Sequence, residues 1–139
     1  PVVFPNGDVV ACIGPVLTLG SEQPMSLGNA LNEPLADIFD RAERNLVLHT
    51  IRAWGPHRLV SLLEEAGYGP LLPNEYISGC ACDICHKLLS EPSIVSALSD
   101  VFQDPDRERL VAYARLYYMD EPRLAEILHL EKRPPIPSH

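Results

Sequence analysis

Residues 79–85 read Gly-Cys-Ala-Cys-Asp-Ile-Cys and bring three thiols, those of Cys80, Cys82 and Cys85, into one short segment. Such spacing suits ligands around a single metal centre. It suits disulfides poorly, because cysteines so close in sequence rarely reach the Cα separation and torsion that a disulfide requires. Gly79 gives the backbone room to fold around a centre. The segment therefore predicts a metal site.

Cys12 is the fourth cysteine of the chain and the natural fourth ligand. Two short β-prone runs, residues 2–4 and 8–13, flank the segment Pro5-Asn6-Gly7. Asn-Gly between apolar runs is typical of a β-hairpin, because both residues tolerate positive φ. Cys12 is thus expected at the end of the second strand, where a shared metal site would tie the hairpin to the rest of the domain.

Two kinds of centre fit four thiolates: an iron–sulfur cluster and a zinc ion. Zinc sites usually carry two Cys-x2-Cys pairs, whereas here a Cys-x-Cys-x2-Cys run has one distant partner. This asymmetry favours the cluster and leaves a zinc-stapled structural or interaction module as the alternative. Two disulfides would require an oxidising compartment, and Cys12 taken alone is also compatible with an ordinary core position.

Composition and charge exclude several classes of function. The chain has 139 residues and a formal net charge of -8, which opposes binding to nucleic acid or to an anionic membrane surface. No apolar run approaches the roughly 20 residues that span a bilayer. The start at Pro1 lacks the pattern of a secretory signal and favours a domain taken from a longer protein. We expect a single cytoplasmic domain.

Proline and capping residues mark several helices after the hairpin. Residues 14–28 are predicted as a loop or an irregular extended segment. Asn32, Ser90, Asp104 and Asp120 each precede a proline and are predicted to cap helices. Helices are expected to follow Asn32, at 45–54, around Leu59 to Ala66, at 93–101, at 106–118 and at 123–130. The predicted fold class is mainly α with a small N-terminal β-hairpin, joined through the metal site.

Two segments resemble a known family. Residues 4–12 (Phe-Pro-Asn-Gly-Asp-Val-Val-Ala-Cys) and 26–39 (Ser-Leu-Gly-Asn-Ala-Leu-Asn-Glu-Pro-Leu-Ala-Asp-Ile-Phe) resemble the start of the SPASM or twitch auxiliary-cluster domain of radical S-adenosylmethionine enzymes. The resemblance implies an auxiliary [4Fe-4S] cluster on Cys12, Cys80, Cys82 and Cys85. Its role would be electron transfer or substrate positioning.

The resemblance also implies what the chain lacks. The Cys-x3-Cys-x2-Cys motif of the radical-generating cluster is absent, so this chain would be the C-terminal piece of such an enzyme and not catalytic alone. An N-terminal radical S-adenosylmethionine barrel would be its partner, and a peptide its substrate. Full SPASM domains carry seven cysteines, whereas four support one cluster. The likeness covers residues 1–89; residues 90–133 are predicted as a helical extension and 134–139 as a disordered tail.

Other polar residues are given structural roles. His86 is expected near the site without ligating the metal, and Asp83 is expected to cap a helix after the cysteines. His49 is expected at the surface or with its hydrogen bonds satisfied, and Trp54 in the core. A solvated helix face is predicted for four arginines, Arg107, Arg109, Arg115 and Arg123.

Overall fold

The computed structural model describes residues 1–128 of the chain. Helices make up 56% of the structure, so the mainly α prediction is confirmed. The strands are β1 (Val2–Val3), β2 (Asp8–Val10) and β3 (Ser26–Asn29). The helices are α1 (Leu35–Glu43), α2 (Leu46–Trp54), α3 (His57–Glu65), α4 (Ala81–Leu89), α5 (Pro92–Val101), α6 (Pro105–Tyr118) and α7 (Arg123–Ile127). Within the described residues, no helix is both long and apolar enough to cross a membrane.

The predicted hairpin forms, and a third strand extends it. Val2 pairs with Val10 across the β1–β2 turn, where Gly7 adopts a φ of 87°. β3 then pairs antiparallel with β2, Asp8 opposite Asn29. The segment 14–28 was predicted as a loop or an irregular extended segment, and its end is the regular strand β3, which has neither alternating polarity nor β-branched residues. Its backbone pairing with β2 makes it a strand.

Proline sets the helix starts more often than the predicted side-chain caps do. Asp104 caps α6 by accepting a hydrogen bond from the Asp106 N–H at 2.9 Å, as predicted. The caps predicted at Asn32 and Ser90 were wrong, because α1 begins after Pro34 and α5 after Glu91, neither with a side-chain cap. The fixed φ of proline prepares the first helical turn without a capping side chain.

A main core and a smaller one bury the apolar residues. The main core joins α3, α4 and α5 through fully buried side chains such as Leu59, Ile84, Leu88 and Leu98. The smaller one lies under the sheet and contains Val9, Leu27 and Ile38. Trp54, predicted as core, is only half-buried. Because α5 supplies part of the main core, the helices after residue 90 pack on the cysteine-bearing part of the chain.

The last predicted elements extend past the described part of the chain. α7 ends at Ile127, whereas the prediction continued to residue 130. Residues 129–133 of the predicted helical extension and the predicted tail at 134–139 lie outside the described residues.

Candidate metal centre

The segment that carries Cys12 leaves the sheet and turns towards α4. Ala11 N–H donates to the carbonyl of Met25 at 2.9 Å, which holds the chain beside β3 just past the end of β2. The Gly14 N–H then donates to Cys12 Sγ at 3.3 Å. A 3₁₀ turn at Pro15–Thr18 follows and packs against α4. This path brings the N-terminal cysteine to the helix that carries the others.

Helix α4 itself contains two of the clustered cysteines. Cys80 occupies the N-cap position, and Cys82 and Cys85 lie within the first two turns. A separation of three residues places Cys82 and Cys85 on one face of the helix. The expected short turn followed by a helix was wrong, since the helix begins at Ala81. Positions close to a helix N-terminus stabilise thiolates through the helix dipole.

Three of the four thiols converge, although Cys12 is far from the others in sequence. An ideal Cβ built on Gly14 would lie 3.4 Å from Cys12 Sγ and 3.6 Å from Cys82 Sγ, so both sulfurs border the same glycine. Burial, together with the nearby Cys12 and Cys82 thiols, raises the pKa of the Cys85 thiol to about 11. Cys12, Cys82 and Cys85 therefore share one environment.

Cys80 stands apart from that group, one helical position ahead of α4. Its N–H donates to the carbonyl of Ile77 at 3.0 Å, and its own carbonyl accepts from the Asp83 N–H at 3.2 Å. It is half-buried, and it is not among the thiols that act on Cys85. All four cysteines are free thiols. Its position at the N-cap of α4 therefore differs from that of Cys82 and Cys85 inside the helix.

The side chains of this site fit a thiolate-bound centre by their chemistry. The soft sulfur donors of Cys12 and Cys82 border the same glycine near the N-terminus of α4, and a backbone N–H donates to Cys12 Sγ. Such donors select iron–sulfur clusters and zinc over hard cations. Among residues 1–128, no group of three or more His, Cys, Asp or Glu side chains is arranged to hold a single metal ion.

Asp83 braces the loop that leads into α4. Its carboxylate accepts from the Ile77 N–H at 2.8 Å and pairs with Lys87 Nζ at 3.0 Å. The Ile77 hydrogen bond lowers the pKa of Asp83, with help from Lys87. Lys87 also donates to the Glu75 carbonyl at 2.9 Å. The predicted cap was wrong, because Asp83 lies inside α4 and fixes the incoming loop instead.

His86 and Gly14 complete the surroundings of the thiols. His86 Nε2 lies 3.3 Å from Thr18 Oγ1, so it links α4 to the 3₁₀ turn. The prediction that His86 either supports the site without ligating the metal or faces solvent stays a prediction. The sequence interpretation placed Gly14 only in a loop, whereas the structure puts it next to the sulfurs of Cys12 and Cys82.

A second polar cluster lies between α1, α2, α6 and the start of α7. Arg115, predicted on a solvated face, is buried and pairs with Glu43 and with Glu121, the latter at 2.5 Å. Arg123 Nη2 reaches Glu43 Oε1 at 2.9 Å. The error has a simple reason: spacing along α6 shows neighbours on the same helix, whereas the partners of Arg115 come from other segments.

His49 is buried in this cluster with both ring nitrogens engaged. Nδ1 lies 3.0 Å from Arg52 Nη1, and Nε2 lies 3.0 Å from the Glu43 carbonyl. Since a guanidinium only donates, Nδ1 accepts and the proton is on Nε2. Burial lowers the pKa of His49, and the charge of Arg115 lowers it further, so the ring is neutral. The prediction of a satisfied position is confirmed.

Comparison with protein families, with curated proteins and with solved structures finds no match for this chain.

Proposed function

We propose that this chain is an auxiliary [4Fe-4S] cluster-binding domain of the SPASM or twitch type, from a radical S-adenosylmethionine enzyme. Cys12, Cys80, Cys82 and Cys85 are its ligands. The observation that supports this most strongly is the approach of Cys12 to Cys82 and Cys85, because it gathers thiols from two distant segments. Soft thiolate sets of this kind are typical of iron–sulfur sites.

The proposed ligands divide into two groups. Cys12, Cys82 and Cys85 share one environment in the fold, whereas Cys80 joins them through adjustment at the N-terminus of α4. Metal binding displaces the thiol protons. A bound cluster supplies one-electron chemistry. The Gly14 N–H, which donates to Cys12 Sγ, would tune that chemistry, because hydrogen bonds to the sulfurs shift cluster potentials.

The proposed role is electron transfer to or from a substrate radical, with substrate positioning as a second contribution. Four protein thiolates leave no iron open to substrate, which favours electron transfer over direct ligation. The radical itself would be generated on a partner barrel N-terminal to this domain, and a peptide is the proposed substrate. A zinc ion at the same thiols would instead give a structural module, because metal binding is then part of the folding free energy.

Iron and sulfide content of anaerobically reconstituted protein tests the proposal. We expect Cys12→Ala, Cys82→Ala and Cys85→Ala to lose most of the cluster, and Cys80→Ala to retain a less stable one. Ser78→Ala, an exposed position in the same loop, is the control and should load like the wild type. A complete and equally stable four-iron cluster in Cys12→Ala would overturn the four-thiolate site. A colourless protein with stoichiometric zinc would support the structural module.

A further inference from the structure

A cavity of about 640 Å³ opens beside the second polar cluster, and none of the four cysteines lines it. Its apolar wall includes Leu27 from β3, Phe39 from α1 and Leu48 from α2. Its polar lining includes Arg52 and Arg123 together with His49, Glu43 and Glu121. Pockets that bind small organic molecules have this composition, a largely apolar wall with a few fixed polar groups.

The polar cluster carries an excess of positive charge. Three guanidinium groups, Arg52, Arg115 and Arg123, face two carboxylates, Glu43 and Glu121. Net charge -8 over the whole chain makes this local excess unusual for the molecule. An anion that enters the cavity would therefore meet a locally favourable charge.

The three arginines differ in how fully ion pairs within the protein occupy their guanidinium groups. Arg115 is only 5% exposed and is taken up by Glu43 and Glu121. Arg123 is 67% exposed and meets those carboxylates through Nη2 alone. Among the described residues, its Nε and Nη1 make no hydrogen bond. Because Arg123 is largely exposed, a ligand that approaches from solvent can reach its guanidinium.

Arg52 is held in place in the same polar lining. Its Nη1 donates to His49 Nδ1 at 3.0 Å, and its Nη2 donates to Glu121 Oε1 at 3.3 Å. The neutral, buried His49 holds this guanidinium in place from the protein interior. Two oriented cations at the mouth of an apolar cavity suit a carboxylate, whose planar oxygens match the donor geometry of arginine.

We propose that this cavity binds an organic carboxylate, with Arg123 and Arg52 at the carboxylate group and Phe39, Leu27 and Leu48 against the apolar part of the ligand. Either a small carboxylic acid or a carboxylate of a larger molecule presents this chemistry. The site is separate from the thiols and does not depend on the proposed metal centre.

Fluorine NMR titration of the full chain tests the proposal with two matched probes. The probes are 4-(trifluoromethyl)benzoate and its neutral amide, 4-(trifluoromethyl)benzamide, which has nearly the same shape. We expect the benzoate to bind and the amide to bind at least ~10-fold more weakly, because charge-assisted hydrogen bonds are the stronger ones. Equal binding of the two probes, or no binding of the benzoate, would overturn the site.

Two variants of equal charge locate the binding. Arg123→Gln should weaken benzoate binding about 10-fold. Arg109→Gln, which removes an exposed arginine outside the cavity, should leave it unchanged. Phe39→Ala should weaken both probes several-fold, since that side chain is 45% exposed and its loss removes the apolar wall without emptying the core. Equal weakening by Arg123→Gln and Arg109→Gln would show general charge attraction and contradict the proposal.

Discussion

Two junctions connect early and late parts of this chain, and they use opposite chemistry. At one, Arg115 of α6 meets Glu43 of α1 and Glu121, so buried charges are paired within the protein. At the other, Cys12 meets Cys82 and Cys85 of α4. Thiols are weak hydrogen-bonding groups, whereas thiolates are strong metal ligands. The first junction is therefore suited to holding the fold, and the second to binding a soft metal centre.

Removal of Arg115 should have the largest effect on stability. Arg115→Met leaves two carboxylates near the core without their main partner, and we expect a loss of about 3 kcal/mol in the free energy of unfolding. Urea denaturation of the metal-free protein measures it. Arg109→Met, on the exposed side of α6, is the control and should change stability by less than about 0.5 kcal/mol. A loss below about 1 kcal/mol for Arg115→Met would mean that the charge network does not hold the junction.

The cap of α2 should rank second. Asn45 accepts from the Leu48 N–H at 2.9 Å and donates to the Pro24 carbonyl at 2.6 Å, so it joins the helix to the segment before β3. Asn45→Ala should cost about 1–2 kcal/mol. Asp104→Ala, which removes a cap without a second contact, should cost only about 1 kcal/mol. Equal losses in urea denaturation would show that the Pro24 contact adds nothing.

The sequence predicts the thiol junction but not the charged one, because the pattern of α6 places Arg115 on a solvated face. Asn6-Gly7 predicts the hairpin, and the spacing of Cys80, Cys82 and Cys85 predicts a shared site. The contacts that complete each junction depend on the tertiary fold. Gly14 contributes through its closeness to two sulfurs, and Arg115 through carboxylates from α1 and the segment before α7.

The missed elements have physical reasons of the same kind. β3 is a strand because β2 offers backbone partners, and its own side chains carry no strand pattern. Helix α4 begins at Ala81 because Ile84 and Leu88 bury one of its faces in the main core. Cysteine spacing alone does not distinguish a turn from a helix. The sequence pattern therefore located the thiols, whereas packing against the main core determined that their backbone is helical.

As the pH falls, protonation of His49 should weaken the charged junction before protonation of its carboxylates does. The pKa of His49 is lowered by burial and by Arg115, so the unfolded chain binds a proton that the folded chain does not. This contribution to stability is complete above about pH 6.5 and is lost as the pH falls below it. Burial would raise the pKa of Glu121, but Arg115 and its neighbours together lower it below 4.5. The stability that the Glu121 carboxylate contributes is therefore lost at a more acidic pH.

Urea denaturation at about pH 7.5 and about pH 5.5 measures this effect. Wild-type protein should be less stable at the lower pH. His49→Gln, which keeps a donor and an acceptor but does not titrate, should show a smaller difference. An unchanged difference in His49→Gln would assign the pH dependence to another group.

Gly14→Ala should have the smallest effect on stability and a large effect on the thiol junction. The added methyl would lie 3.4 Å from Cys12 Sγ and 3.6 Å from Cys82 Sγ, which is ordinary contact, and the φ of -80° suits alanine. We expect a change below about 0.5 kcal/mol in the metal-free protein, with reduced iron content after reconstitution. Gly20→Ala is the control, because its Cβ would meet nothing within 4 Å. Equal iron in both variants would show that Gly14 does not border the centre.

The identity of the group on the thiols tests the central claim most directly. Native mass spectrometry of the anaerobically reconstituted wild-type chain, together with its visible absorption, gives the answer in one preparation. We predict one [4Fe-4S] cluster per chain and a broad absorption near ~400 nm, as cysteine-ligated clusters give. A chain that stays colourless and carries one zinc ion, or no metal at all, after reconstitution with iron and sulfide would contradict the account.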